Sequence, residues 1–286
     1  MPNRTRTVLE RISDEYYQLT ASERKVADYV VVHQQDTQFM SISDLAEACG
    51  VAEATVSRFC RRLKYKGYNA FKLAVANTAA QRVGNLLLSG EIGPEDNVPD
   101  LCQKLYGSAV DALSQTVSLI RPEGITAAAD LLTHANRVLC MGQGGSMIMA
   151  TEAAHLFSTA MPGFTPVWDS HLQLVAAATL TPRDVVLFFS YSGATHDLLD
   201  LLEVVRERQA KVILVTHFPK SPAAGFADVI LQCGANEGPL QMGSVPARIA
   251  QLFLVDVLFT EVCRRNRDAV HAAREQIADV LSTKHL

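Results

Sequence analysis

Apolar positions along this chain follow two different periods, and the change from one to the other divides it into two parts. Through the first eighty or so residues they recur at helical spacing. The stretch TASERKVADYVVVHQQDT opens with a hydroxyl at Thr20, has an acid three residues on at Glu23, and carries an apolar stripe through Val26, Tyr29, Val30 and His33. That pattern predicts a capped packing helix. From Ser43 the sequence reads SDLAEACGVAEATVSRFCRRLKYKGY. It predicts a short helix with Ser43 as N-cap and Leu45 and Ala46 buried, then a reversal through left-handed backbone at Gly50. A second helix follows, with Val56, Phe59, Cys60 and Leu63 facing a core. Tyr68, Phe71, Leu73 and Val75 continue a helix that closes it.

Between Val83 and Pro99 the run VGNLLLSGEIGPEDNVP breaks the periodicity with glycine and proline, as a hinge does. Helical spacing resumes from Asp100 to Ile120 and from Gly124 to Ala135. The period then changes. RVLCMG, DVVLFFS, KVILVTHF and DVILQC are short, nearly continuous apolar runs separated by helical segments, which is how strands buried on both faces of a parallel sheet read. The expected architecture is an all-α helix-turn-helix domain over residues 1–82, a linker over 83–99, and an α/β domain, doubly wound on a mainly parallel sheet, over 100–286.

Charge sharpens the first half of that picture. From Ala52 to Arg82 seven basic residues face one acid, a local charge of +6, so within an overall −4 the rest of the chain carries −10. A basic island in an acidic protein is the footprint of a phosphate-backbone surface. On the second helix Thr55, Ser57, Arg58, Arg61 and Arg62, with Lys64 and Lys66 beyond it, lie away from the apolar stripe. They are the expected contacts to double-stranded DNA: N-terminal side chains to base edges in the major groove, distal cations to phosphates.

The second half carries its chemistry in two turns. GQGGS, Gly142 to Ser146, follows the first strand, and SYSGAT, Ser190 to Thr195, follows DVVLFFS. Each opens a helix, where backbone N–H groups point outward and the helix dipole favours an anion. Hydroxyls at Ser190, Ser192 and Thr195 add donors for a compact tetrahedral oxyanion, and no lysine stands where a nucleotide triphosphate loop requires one. The acidic residue that a dinucleotide cofactor requires is poorly matched by Asp169, so no cofactor is expected.

With LAEACGVAEATVSRFCRRLKYKGY in the first part, and GQGGS, DSH, SYSGAT and THFPKSP in the second, nearly the whole chain resembles an RpiR-type regulator, in which a helix-turn-helix is joined to a SIS (sugar isomerase) domain. The resemblance implies binding to operators that are inverted repeats near sugar or amino-sugar genes, as a homodimer or homotetramer, under control of a phosphosugar effector. It implies that Gly144, Gly145, Ser146, Ser190, Ser192, Gly193 and Thr195 hold the phosphosugar, with Asp169, His171 and Glu237 toward the sugar hydroxyls. One departure stands out: where the family has a capping serine this chain has Ala52, leaving Glu53 to steady the helix start through its dipole.

Other features narrow the class. The segment GSVPARIAQLFLVDVLFTEVC is apolar on more sides than one buried face needs, with Val245, Ile249, Leu252, Phe253, Val257 and Phe259, which points to a subunit interface. Six scattered cysteines with no CxxC pair and no histidine at ligand spacing read as reduced thiols with no metal. No stretch is long and apolar enough to span a membrane and no signal-peptide core opens the chain, so the expected location is the cytoplasm. The rival to a regulator is a sugar-phosphate isomerase with an appended helical domain. Glu152, His155, Asp169, His171 and Glu237 are the right residue types for its base, but the sequence assembles no constellation from them, so the chain is expected not to be an enzyme.

Overall fold

A computed structural model describes residues 7–83, 92–93, 95–234 and 245–282. The chain divides into two compact units, the first reaching Asp111 and the second beginning at Ala112.

The first unit is built of short helices: α1 (Val8–Glu15), α2 (Ala21–Val32), α3 (Gln34–Thr37), α4 (Ile42–Ala48), α5 (Glu53–Arg62) and α6 (Tyr68–Val83). Capping boxes start three of them, Thr7 with Glu10, Thr20 with Glu23 and Ser41 with Asp44, each satisfying two otherwise orphaned N–H groups. The cap of α4 is therefore Ser41, not Ser43. Ser43 instead donates its hydroxyl proton to Glu53 and so ties α4 to the start of α5. Val26, Val30, Leu45, Val56, Phe59, Leu63, Phe71 and Val75 form the core of this unit. Phe59 meets Phe71 edge to face at 5.6 Å, so truncating Phe59 to alanine would cost about 3–5 kcal/mol. Two stripe expectations shift: His33 is exposed at the end of α2, and Leu73, between the buried Phe71 and Val75, points to solvent.

The second unit holds a parallel sheet of β1 (Val138–Gly142), β2 (Phe164–Pro166), β3 (Val185–Phe189), β4 (Lys211–Thr216) and β5 (Val229–Gln232), in the order β2-β1-β3-β4-β5. Strand side chains alternate between two cores. Val138, Cys140, Leu187, Phe189, Ile213 and Val215 face α8 (Pro122–His134), α9 (Gly145–Ser158) and α12 (Val245–Arg265). Leu139, Met141, Val186, Phe188, Val212 and Leu214 face α11 (His196–Glu207) and the turn around Ala223, with Ala177 of α10 (Ser170–Ala177) joining them. Helices on both faces explain the unbroken apolar runs. On one side α7 (Val98–Leu119) adds Ala112 and Thr116, and Thr116 accepts the Gly234 N–H after β5. A helix α13 (Arg267–Ser282) follows α12 and buries Val270.

Chain order reverses between β1 and β3, and ligands of such sheets settle at that reversal, beyond the carboxyl ends of the strands.

Candidate functional site

In the first unit the candidate surface is α5. Gly50 turns the chain at φ +61° with open space around it, and Val51 N–H reaches back to Ala46, a closing pattern that a glycine suits. Ala52 stands at the N-cap of α5 without a side-chain hydrogen bond, and Glu53 occupies the first turn, held by Ser43. Arg58, Arg61, Arg62, Lys64 and Lys66 are exposed, and Thr55 and Ser57 half-buried, on the side away from Val56, Phe59 and Cys60. Most of the predicted face is thus presented to solvent. Arg62 is engaged within the unit: it donates to the Gln18 carbonyl at 2.8 Å and lies 3.4 Å from Glu23. Burial pushes the Glu23 carboxyl up, but the Thr20 hydrogen bonds and Arg62 outweigh it and hold it below the ordinary range. Arg62 is therefore an anchor of α5 on α2. Arg11, missed in the sequence, holds the same end of α5 from α1, donating to the Leu63 carbonyl and lying 4.8 Å over the Tyr65 ring. Lys64 ends α5 in left-handed backbone at φ +68°.

In the second unit the two turns leave adjacent strands at the same level. Gly142 pairs in register with Phe189, so GQGGS and SYSGAT start side by side, roughly one strand spacing of about 5 Å apart. They are also joined directly: the Thr195 hydroxyl donates to Gln143 Oε1 at 2.8 Å. A side chain on Gly142 would meet the Ser146 carbonyl at 2.7 Å and the Met147 nitrogen at 3.0 Å, so that glycine is required by the turn itself. Gly144 caps α9 with φ +53°, and Gly145 begins the helix; a Cβ on either meets nothing within 4 Å. The space beside these two Cα atoms is open, so the backbone is accessible to close approach there.

The second turn is braced by its own hydroxyls. Ser190 Oγ accepts the Gly193 N–H at 3.0 Å and Ser192 Oγ accepts the Ala194 N–H at 3.4 Å. Because the Ser190 oxygen accepts there, its proton remains available to a ligand oxygen. Gly193 has φ +61° and packs so tightly on Ser221 that a Cβ there would overlap it. Behind the turn the His217 imidazole stacks on Tyr191 at 5.0 Å and bonds the Cys233 carbonyl at 3.0 Å. Burial pushes this imidazole down to about 4, against the opposing pull of that hydrogen bond, so it is neutral near pH 7. His217 packs as a structural side chain behind the turn.

Of the residues expected toward the sugar, Asp169 is exposed and caps α10, accepting the Leu172 N–H at 2.9 Å, and His171, in the first turn of that helix, is exposed. Glu237 lies outside the described residues. Sequence reading missed Gln173, which is fully buried and donates to the Gly142 and Val167 carbonyls, fastening α10 to the first turn. A lone amide inside the apolar run HLQLVAA was the available signal. Three buried polar atoms without a partner gather around the turns, Gln143 Nε2, Gln173 Oε1 and Ser221 Oγ. A cavity of about 620 Å³, lined in part by Asp130, His134, Arg183 and Lys211, opens at the amino ends of β3 to β5, the opposite end of the sheet. Among the described residues no cluster could hold a metal ion and no helix is long and apolar enough to cross a membrane.

Comparison with known proteins gives these two units their identity. Residues 6–82 match the helix-turn-helix domain of the rpiR family, and residues 131–261 match the SIS domain. An uncharacterized HTH-type transcriptional regulator of Caldanaerobacter subterraneus subsp. tengcongensis is 32% identical over 98% of both chains. The chain belongs to the rpiR family of transcriptional regulators. The regulator HexR of Escherichia coli is 29% identical over 98% of this chain and 97% of its own. Among solved structures, the Vibrio vulnificus NanR protein complexed with ManNAc-6P superposes with a TM-score of 0.61 at 27% identity, covering 97% of this chain and 98% of that one. As an rpiR-family member the chain combines a helix-turn-helix domain with a SIS domain.

Proposed function

We propose that this rpiR-family regulator controls sugar or amino-sugar metabolism genes, binding inverted-repeat operators through α5 and responding to a phosphorylated sugar held by the turns after β1 and β3. The observation that carries the reading is the convergence of those turns, in register on neighbouring strands and bonded through Thr195 and Gln143. The phosphate sits on the N–H groups of Gly144 and Gly145, on the Ser146 hydroxyl, and on the hydroxyl side of the second turn, Ser190, Ser192, Gly193 and Thr195, with Asp169, His171 and Glu237 toward the sugar. NanR, complexed with ManNAc-6P, supports a phosphosugar as the ligand class. On α5, Thr55, Ser57 and Arg58 face base edges and Arg61 faces phosphates, with Lys64 and Lys66 just beyond the helix doing the same, while Arg62 is held by Gln18 and Glu23.

The assembly is a homodimer or homotetramer, with part of α12 at the interface, since a palindromic operator mirrors a two-fold protein. The chain acts in the cytoplasm without a cofactor and without catalysis, as its near full-length relatives named as regulators suggest. A thermal-shift screen against a phosphosugar panel tests the ligand class, because selective binding to the folded state raises the melting temperature. No stabilisation by any member, or isomerisation of one of them, overturns the reading.

A further inference from the structure

The bond joining the two turns has a chemical consequence for the ligand. A threonine hydroxyl has one proton, and that of Thr195 is committed to Gln143 Oε1 at 2.8 Å. A phosphate dianion offers only acceptors, so Thr195 cannot donate to it while it donates to Gln143. The other end of the amide, Gln143 Nε2, is shielded from solvent and has no partner. The amide is thus held at the junction through its oxygen, and nothing bonds its nitrogen in place.

We propose that Gln143 is an affinity-setting gate of the site: it competes with the ligand for the Thr195 proton, and ligand entry breaks the bond and turns that proton onto a phosphate oxygen. The inference rests on the phosphosugar reading above. A hydrogen bond to a charged acceptor is about twice as strong as one to a neutral acceptor, so a phosphate outcompetes the amide oxygen. A neutral sugar hydroxyl meets an acceptor as good as itself and gains nothing by the exchange. The gate therefore favours phosphorylated over unphosphorylated ligands without using a cationic side chain.

The test is a double-mutant cycle on the full chain with inorganic phosphate as probe, read as the phosphate-dependent rise in Tm and by titration calorimetry. Gln143→Met, of similar length with no hydrogen-bonding end, is expected to tighten phosphate binding roughly 2- to 10-fold, the range of one neutral hydrogen bond. Thr195→Val is expected to weaken it by a similar factor. With the threonine proton gone, Gln143→Met should add nothing in the Thr195→Val background. If Gln143→Met weakens binding as Thr195→Val does, the amide is a ligand contact and the gate is refuted. Equal effects of Gln143→Met in both backgrounds refute it as well. A wild-type chain that binds phosphate and loses it in Ser192→Ala, with Gln143→Met unchanged, sinks the gate alone. A wild-type chain that phosphate never stabilises sinks both readings.

Discussion

The exposed face of α5 and the paired turns of the sheet are both proposed to meet phosphate, yet they are built from opposite materials. Along and just beyond α5 the groups are long cations on exposed side chains, Arg58, Arg61, Lys64 and Lys66. At the turns the named groups are neutral, backbone N–H and hydroxyl, fixed by Gly142 and by the Ser190–Gly193 bond. Mobile charge suits a polymer that must be found and scanned, because counterion release drives binding with little demand on geometry. Fixed dipoles suit one compact group, since their orientation is set before the ligand arrives.

Salt is the sharpest way to break that contrast. Raising salt from 50 to 200 mM should weaken operator binding by about 10³-fold or more for an assembly making six or more phosphate contacts. Phosphosugar affinity, measured by calorimetry over the same range, should change far less; parallel losses would mean the second site relies on long-range charge. Next in size is Gly142→Ala, whose Cβ must displace the Ser146 and Met147 backbone. Forcing backbone apart around a buried strand end should cost at least about 3 kcal/mol in denaturant unfolding and abolish phosphosugar binding; wild-type stability would show that the turn yields easily.

Acid should act on the second site through His217, which supports Tyr191. The folded imidazole titrates near 4 and the unfolded one near 6.5, so below 6.5 the unfolded state takes up a proton that the folded state refuses. That contribution is intact above about 6.5 and is lost as the pH falls toward 4, on the order of 3 kcal/mol over the window. Urea melts of wild type and His217→Gln across pH 4–7 should diverge accordingly; identical profiles would place the acid sensitivity elsewhere. Arg58→Ala should cost about 1–3 kcal/mol on the cognate operator and relax one base position in gel-shift selections. An equal loss on every sequence would make it a phosphate contact. The smallest effect is Lys64→Gly, which relieves left-handed backbone and should stabilise the fold by up to about 1 kcal/mol while removing one cation from the DNA face.

Much of this was legible in sequence because it depends on local rules. The 3.6 period of Val56, Phe59 and Leu63, the Thr20–Glu23 box and the left-handed Gly50 are decided within a few residues, and each stands as read. The N-cap at Ser41 was missed because Ser43 is an equally good cap by composition, and only the position of Glu53 gives it other work. Arg62 reads as one more cation of the DNA face until the fold brings Gln18 and Glu23, some forty residues upstream, beside it. Gln173 and Arg11 show the same limit: their partners are distant in sequence and their roles are invisible to spacing.

Sequence alone determined the first unit's main helices and four of the five strands, that the sheet is parallel and covered on both faces, and that glycine- and hydroxyl-rich turns follow β1 and β3. Those properties follow from side-chain periodicity and backbone conformational preference, which act over a few neighbours. Tertiary structure decided the strand order that sets the two turns side by side and the bond from Thr195 to Gln143 across them. It also decided which cations remain on the surface. These depend on contacts between residues tens of positions apart, and such contacts exist only once the chain has closed on itself.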